Sequence, residues 1–280
     1  MDHDRIDLDR GGTRLSAIDF GGKGPPILLL HGLAGHGREW ADTASWLTGW
    51  GHVYAPDARG HGDSERRPRD TSSEAQVADA ALAVDRLGGK ASVVIGQSLG
   101  GCTAIRLAAR YPDRVSALIV ADAGLGADGP DEIDETVAAI ASWPTPFASL
   151  ETATEFFGGA GIAAAAWAGG LERGEDGWWP RFDPDVLHRV LAGANDRPLR
   201  EEWSSVACPA LVVRAGDGML GEDEARAMAS LNPNARLASI EGAAHDLHLD
   251  RPAEWRAIVE DFLGREVALA GEPGVVGRKP

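Results

Sequence analysis

Apolar and polar positions along the chain follow two alternating rhythms. Ile27–Leu30, Val53–Pro56, Ala91–Ile95, Ala117–Val120, Ala210–Val213 and Arg236–Ile240 are short, mostly apolar runs, the pattern of strands covered on both faces. Between them, Ser73–Leu87 and Ser98–Arg110 place apolar residues at helical spacing. Two β-rich stretches open the chain, around Asp7 and over Arg14–Phe20, separated by the turn pair Gly11-Gly12. Strand and helix in alternation predict βαβ units, hence an α/β fold with a mainly parallel sheet and helices on both faces.

One interval breaks this rhythm. From about Leu125 to Ser205 no buried strand is visible, only short helical pieces punctuated by Gly and Pro. Eighty or so structureless residues would be out of place in a compact domain, so the interval reads as an inserted helical cap. It holds five of the nine tryptophans (Trp143, Trp167, Trp178, Trp179, Trp203) and four of the six phenylalanines (Phe147, Phe156, Phe157, Phe182). Most of these rings serve to glue the cap to the core. Trp143, Trp167 and Phe147 are expected to line a pocket between cap and sheet. The organisation expected is therefore a core of residues 1–124, a cap of 125–205, the rest of the core over 206–264 and a loose tail of 265–280.

Composition narrows the class without naming a reaction. Apolar residues make up 44% and charged residues 25% of the 280, an ordinary globular mixture. A net charge of −16 argues against nucleic acid and anionic membrane as partners. No run approaches the ~18 apolar residues of a membrane span, and the charged segment Met1–Arg10 does not resemble a signal peptide. Two cysteines, Cys102 in a helix and Cys208 before a strand, are too few for a disulfide framework and read as buried thiols of a cytoplasmic protein, monomeric or homodimeric.

The chemistry concentrates at Gly96-Gln97-Ser98-Leu99-Gly100, where a buried strand turns into a helix. A serine in such a G-x-S-x-G turn stands with its hydroxyl exposed at the carboxyl end of the strand. The backbone N–H of Leu99, opening the helix, is suited to an oxyanion. With a strand before it and a helix after it, the pentapeptide is more than a Gly-rich connection.

These residues resemble the α/β-hydrolase superfamily, and three further motifs extend the likeness over most of the chain: His31-Gly32-Leu33, the loop Asp57-Ala58-Arg59-Gly60-His61-Gly62-Asp63-Ser64, and Gly242-Ala243-Ala244-His245 with Arg251-Pro252. The resemblance implies Ser98 as nucleophile, His245 as general base and the Leu33 and Leu99 amides as oxyanion hole. His248, three residues on, competes with His245, which the G-x-x-H placement favours. His31 and His61 are expected to brace loops, Asp57 and Arg59 to pair, and Asp63 to form a turn. A metal role for His245, Asp246 and His248 is disfavoured, and no metal or cofactor is expected.

The third member of the triad departs from the common pattern. Where many relatives carry aspartate as G-x-x-D, this protein reads Gly216-Asp217-Gly218-Met219, with Gly218 in the acid's place and Asp217 one residue early. The alternative is Asp122, at the end of Ala117–Val120, where some members of the superfamily carry the acid. Asp122 is preferred and Asp217 stays open as its rival.

Hydrolysis of a carboxylic ester, thioester or lactone bearing an apolar group, through an acyl-enzyme on Ser98, is the leading expectation. Carbon–carbon hydrolase, peptidase, cofactor-free haloperoxidase and acyltransferase activities share this scaffold. So does a receptor that binds a small molecule with little turnover.

Overall fold

A computed structural model describes residues 4–86, 92–126 and 128–270. Ten strands and eleven α-helices are found among them. Strands β1 (Asp4–Arg10), β2 (Thr13–Gly21), β3 (Pro26–Leu30), β4 (His52–Pro56), β5 (Ser92–Gln97), β6 (Val115–Ala121), β9 (Ala210–Ala215) and β10 (Ala235–Ile240) form one sheet in the order β1-β2-β4-β3-β5-β6-β9-β10. β2 pairs antiparallel with both β1 and β4, and in sheet order the strands from β4 through β10 are parallel to one another. The expected helix end at Leu87 and strand start at Ala91 lie outside the described residues.

The continuous apolar runs have a simple cause. Ile27 and Leu29 of β3 face one core with Val53, Val93, Ile95 and Ile119, while Leu28 and Leu30 face another with Val94, Leu118, Val120 and Val212. Successive side chains point to opposite faces, and here both faces are dry. Helices α1 (Ala41–Leu47) and α11 (Pro252–Ala270) cover the first core with Trp255 and Phe262. Helices α2 (Ser73–Arg86), α3 (Leu99–Arg110) and α9 (Glu222–Leu231) cover the second. Helix α11 continues to Ala270, so the tail expected from residue 265 is helical over its first six residues; 271–280 are outside the described range.

Between β6 and β9 lie helices α4 (Pro130–Ala141), α5 (Leu150–Phe156), α6 (Ile162–Gly169), α7 (Pro184–Ala194) and α8 (Arg200–Ser205). A small hairpin, β7 (Leu171–Arg173) with β8 (Trp178–Pro180), also falls in this interval. The sequence gives no sign of it, because strands three residues long are too short for their alternation to show. Leu199 N–H donates to Leu125 C=O at 2.8 Å, tying the two ends of the excursion together. Trp203, grouped by sequence with the inserted aromatics, packs instead in the second core, fully buried, its indole N–H bonded to Met228 C=O at 2.7 Å. No helix among the described residues is long and apolar enough to cross a membrane.

Candidate active site

The polypeptide steps one way along the sheet from β3 to β4 and then reverses, crossing β3 to place β5 on its other side. At such a switch point the loops leaving the carboxyl ends of two neighbouring strands part and leave a crevice. Leu33, after β3, and Ser98, after β5, flank it.

Ser98 adopts φ 51° and ψ −119°, a conformation that is costly outside glycine and marks a strained turn. Its N–H is held by Ala121 C=O at 3.0 Å. The two motif glycines permit the turn: a Cβ on Gly96 would lie 2.3 Å from Gly100 O, and one on Gly100 2.2 Å from Leu30 O. Leu99 is the first residue of α3, so its N–H has no acceptor within the helix. Leu33 is half-buried, packed against the cluster that holds Ala34, Phe182 and Leu187 and against the one that holds Leu99, Val186 and Val190.

His245 lies on the loop after β10, with its ring 30% exposed. Its Nδ1 is 2.7 Å from Asp122 Oδ2. Asp122 follows β6, itself at φ 45°, and is 1% exposed. Besides His245 it accepts from Met219 N–H at 2.7 Å, Ala215 N–H at 3.1 Å and Leu220 N–H at 3.3 Å. Burial pushes its carboxyl up, but the His245 bond and the backbone donors outweigh burial and hold it below the usual aspartate value. Asp217 is exposed, its N–H bonded to Ala243 C=O. Gly218, in the acid's usual position, has its missing Cβ filled: a Cβ there would come 2.2 Å from Asp122 Oδ2. The carboxylate from β6 occupies the room that a side chain at 218 would need.

Ser98, His245 and Asp122 border one cleft of about 150 Å³. Leu191 and Asn195 wall it from the inserted segment, and Asp128 and Glu224 add two carboxylates. Among the described residues no Lys or Arg lines it. Burial, with Glu132 and Glu224 nearby, pushes the Asp128 carboxyl up against a hydrogen bond from Asn195. Glu224 Oε1 accepts from Leu125 N–H and Gly126 N–H at 2.7 and 3.2 Å. Sequence reasoning missed Asp128, Asn195 and Glu224, which carry no motif and reach the cleft only through packing.

Of the three aromatics expected at a pocket between cap and core, Trp143 and Trp167 border such a cavity, though not the cleft of Ser98, and Phe147 borders neither. Phe147 is 2% exposed inside the inserted segment, against Ala153 and Leu171. Trp143 and Trp167 border a separate small cavity with Gly62 and Arg181, meeting edge to face at 5.7 Å. Apolar helix faces here bury their rings against one another rather than presenting them to the cleft.

The remaining loop residues divide into braces and buried groups. His31 accepts from Ala58 N–H at Nε2 and bonds Gly32 C=O through Nδ1. His61 is buried and pushed down to about 3, chiefly by burial. Asp57 and Arg59 do not pair with each other: Asp57 takes Arg5 and the N–H groups of Gly37 and Asp63, while Arg59 forks onto Asp79. Asp63 is more than a turn residue, since it pairs with Arg5 and with Arg181 of the inserted segment. His248 is fully buried, stacked on Trp40 at 4.2 Å and away from the cleft. Cys102 and Cys208 are free and half-buried, with burial raising both thiols to about 11. No group of three or more His, Cys, Asp or Glu among the described residues is arranged to hold a metal ion.

Residues 25–252 match the family model for the alpha/beta hydrolase fold. Lipase LipV of Mycobacterium tuberculosis is 36% identical over 150 residues, 53% of this chain and 54% of that protein, so the chain spans about half the length of this relative. The putative carbamate hydrolase RutD of a Caulobacter species is 28% identical over 86% of this chain and 91% of its own length. Among solved structures, E-2-(acetamidomethylene)succinate hydrolase superposes with a TM-score of 0.85 at 20% identity, covering 94% of this chain and all of that one, a likeness of fold.

Proposed function

Since the chain belongs to the α/β-hydrolase family, we propose that it is a serine hydrolase that cleaves a carboxylic ester, thioester or lactone bearing an apolar group. The observation that carries this reading is the His245 ring, bonded at Nδ1 to ionised Asp122 and sharing a cleft with Ser98 on its strained turn. Asp122 keeps the Nδ1 proton in place, which leaves Nε2 free to accept the proton of Ser98. The Ser98 oxygen then bonds to the substrate carbonyl carbon, and the carbonyl oxygen becomes an oxyanion held by the Leu33 and Leu99 N–H groups. Collapse breaks the carbon–oxygen or carbon–sulfur bond, and His245 returns the proton to the departing alcohol or thiol. Water, deprotonated by His245, releases the acid from Ser98 by the same steps. Leu191, Ala194 and Met219 give the cleft apolar walls, which suit an apolar acyl or alcohol group. The lipase among the relatives supports an ester; the carbamate hydrolase keeps carbamates and amides in the substrate panel.

Ser98→Ala is expected to lower kcat on a short-chain nitrophenyl ester by about 10⁴-fold or more and to abolish labelling by a fluorophosphonate. Turnover or labelling that survives the substitution would remove Ser98 from the reaction.

Charge at the cleft predicts a preference as well. With Asp128 and Glu224 facing it and no lining cation among the described residues, a substrate carboxylate would be repelled rather than held. A neutral ester is therefore expected to have a kcat/KM about tenfold above that of its succinate half-ester counterpart at low salt. Salt and Asp128→Asn should both narrow the gap. Equal or faster turnover of the anionic ester would overturn this preference.

A further inference from the structure

A series of hydrogen bonds joins the nucleophile's strand to the inserted helices. Gln97 precedes Ser98 and is 1% exposed. Its Nε2 donates to the His245 backbone carbonyl and to Asp246 Oδ1, each at 3.3 Å. Its Oε1 rests against Gly32, where a Cβ would lie 2.2 Å away, so the amide is wedged between the loop bearing Leu33 and the loop bearing His245. The second Asp246 oxygen, Oδ2, accepts from the Trp167 indole N–H at 3.0 Å. Trp167 sits on α6 and stacks on Phe157 at 5.9 Å. Asp246 also caps the short helix α10 (Leu247–Asp250), with Leu249 N–H and Asp250 N–H bonded to its C=O, and α6 packs against α10.

We propose that Gln97 and Asp246 are positioning residues that couple the seating of the inserted helices to the aim of His245. This rests on the serine-hydrolase reading above. The Asp122 bond holds the His245 ring at one atom only, which leaves the peptide behind it to be placed by something else. Gln97 places it, in register with Ser98 because the two are consecutive residues. Asp246 is shared: one oxygen serves Gln97 and the other serves Trp167, so a shift of α6 pulls on the carboxylate that Gln97 also holds. A displacement of the His245 ring by an ångström is enough to cost about 10²-fold in rate.

The test separates this coupling from mere support of the fold. Trp167→Phe keeps an aromatic ring, smaller than the indole, and removes the N–H donor; Asp246→Asn keeps one acceptor oxygen and loses the other. Each is expected to lower kcat about tenfold, with Gln97→Leu losing up to about 10²-fold, while KM for a small neutral ester and the Tm change little. Trp167→Phe combined with Asp246→Asn should be no slower than the worse single variant, since both interrupt the same path from Trp167 to Gln97. Multiplying losses, or a fall in Tm with kcat intact, would overturn the coupling. A second readout is independent of turnover: the indole N–H resonance of Trp167, identified by its loss in Trp167→Phe, should move in Gln97→Met, with Asp246 as the intermediary. An unmoved resonance would overturn the coupling even in an active enzyme. Absence of Ser98-dependent turnover in the unaltered protein would instead sink the hydrolase reading, and the resonance would still report on the linked bonds.

Discussion

Asp122→Asn is expected to lower kcat about 10⁴-fold, the cost of losing the carboxylate that fixes the histidine tautomer in other triads. All four contacts of the Asp122 carboxylate are with donors: His245 Nδ1 and the N–H groups of Ala215, Met219 and Leu220. An asparagine has one acceptor oxygen, so its amide nitrogen must face either the Met219 and His245 donors or the Ala215 and Leu220 donors. The variant should therefore also lose about 1–3 kcal/mol of stability, measurable as a lower midpoint in urea. Asp217→Asn, at an exposed side chain, should leave kcat within about twofold, since surface changes of this kind are small. Gly218→Ala carries a complementary expectation. Its Cβ would press within 2.2 Å of Asp122 Oδ2, so kcat and fluorophosphonate labelling of Ser98 should both fall. A large loss in Asp217→Asn with Asp122→Asn left active would reverse the assignment of the acid.

Glu39→Gln is expected to stabilise the protein in alkali by several kcal/mol. Glu39 is 6% exposed, accepts from His36 N–H at 3.1 Å, and lies 3.6 Å from His248 Nε2. Burial, with the negative charges of Asp246 and Asp57, pushes its carboxyl up from 4.5 to about 8 against the pull of His31. The folded protein thus holds this proton more tightly than the unfolded one. The stability it contributes is complete below about pH 4.5 and is lost as pH rises through about 8. Over that window the loss is on the order of 4 kcal/mol. A glutamine accepts the same His36 N–H and never ionises. The difference in unfolding free energy between Glu39→Gln and the unaltered protein, measured in urea at pH 5 and pH 9, should grow by about that amount. His36 and His248, pushed down to about 4 mainly by burial, act with the opposite sign. The unfolded state takes up their protons as pH falls below about 6.5, which erodes stability on the acid side in both proteins alike. A difference that stays constant across pH would show that Glu39 does not titrate in this window.

Local physics wrote the Ser98 turn and the sheet into the sequence. Gly96-Gln97-Ser98-Leu99-Gly100 is readable because the turn that exposes Ser98 demands glycine within two residues on either side, and both the apolar run before it and the helical spacing after it are its immediate neighbours. The runs at Ile27–Leu30 and Val93–Ile95 announce a sheet covered on both faces for the same reason, since a strand's environment shows in its own alternation. The place of the acid could not be read this way. Asp122 and His245 are 123 residues apart, and what joins them is the pairing of β6 between β5 and β9 together with the absence of a side chain at Gly218, whose place the Asp122 carboxylate takes. Sequence spacing carries no record of which strand lies beside which.

The same limit explains the aromatics. Trp203 sits within the inserted interval by sequence and in the core by packing, and Phe147 is spent inside the insertion rather than on the cleft, because an apolar ring signals burial without saying against what. Gln97, Asp246 and Trp167 are each unremarkable alone and become a connected path only once α6 lies over α10. The sequence by itself determined the α/β alternation and the Ser98 turn, both set by conformational demands within a few residues, while His245 was marked only by likeness to a known family. Which of the two candidate carboxylates faces His245, which charges face Ser98 and how the inserted helices reach the His245 loop were decided by the tertiary structure, because hydrogen bonds and Coulomb interactions depend on distance in space, and folding brings those distances down to about 3 Å.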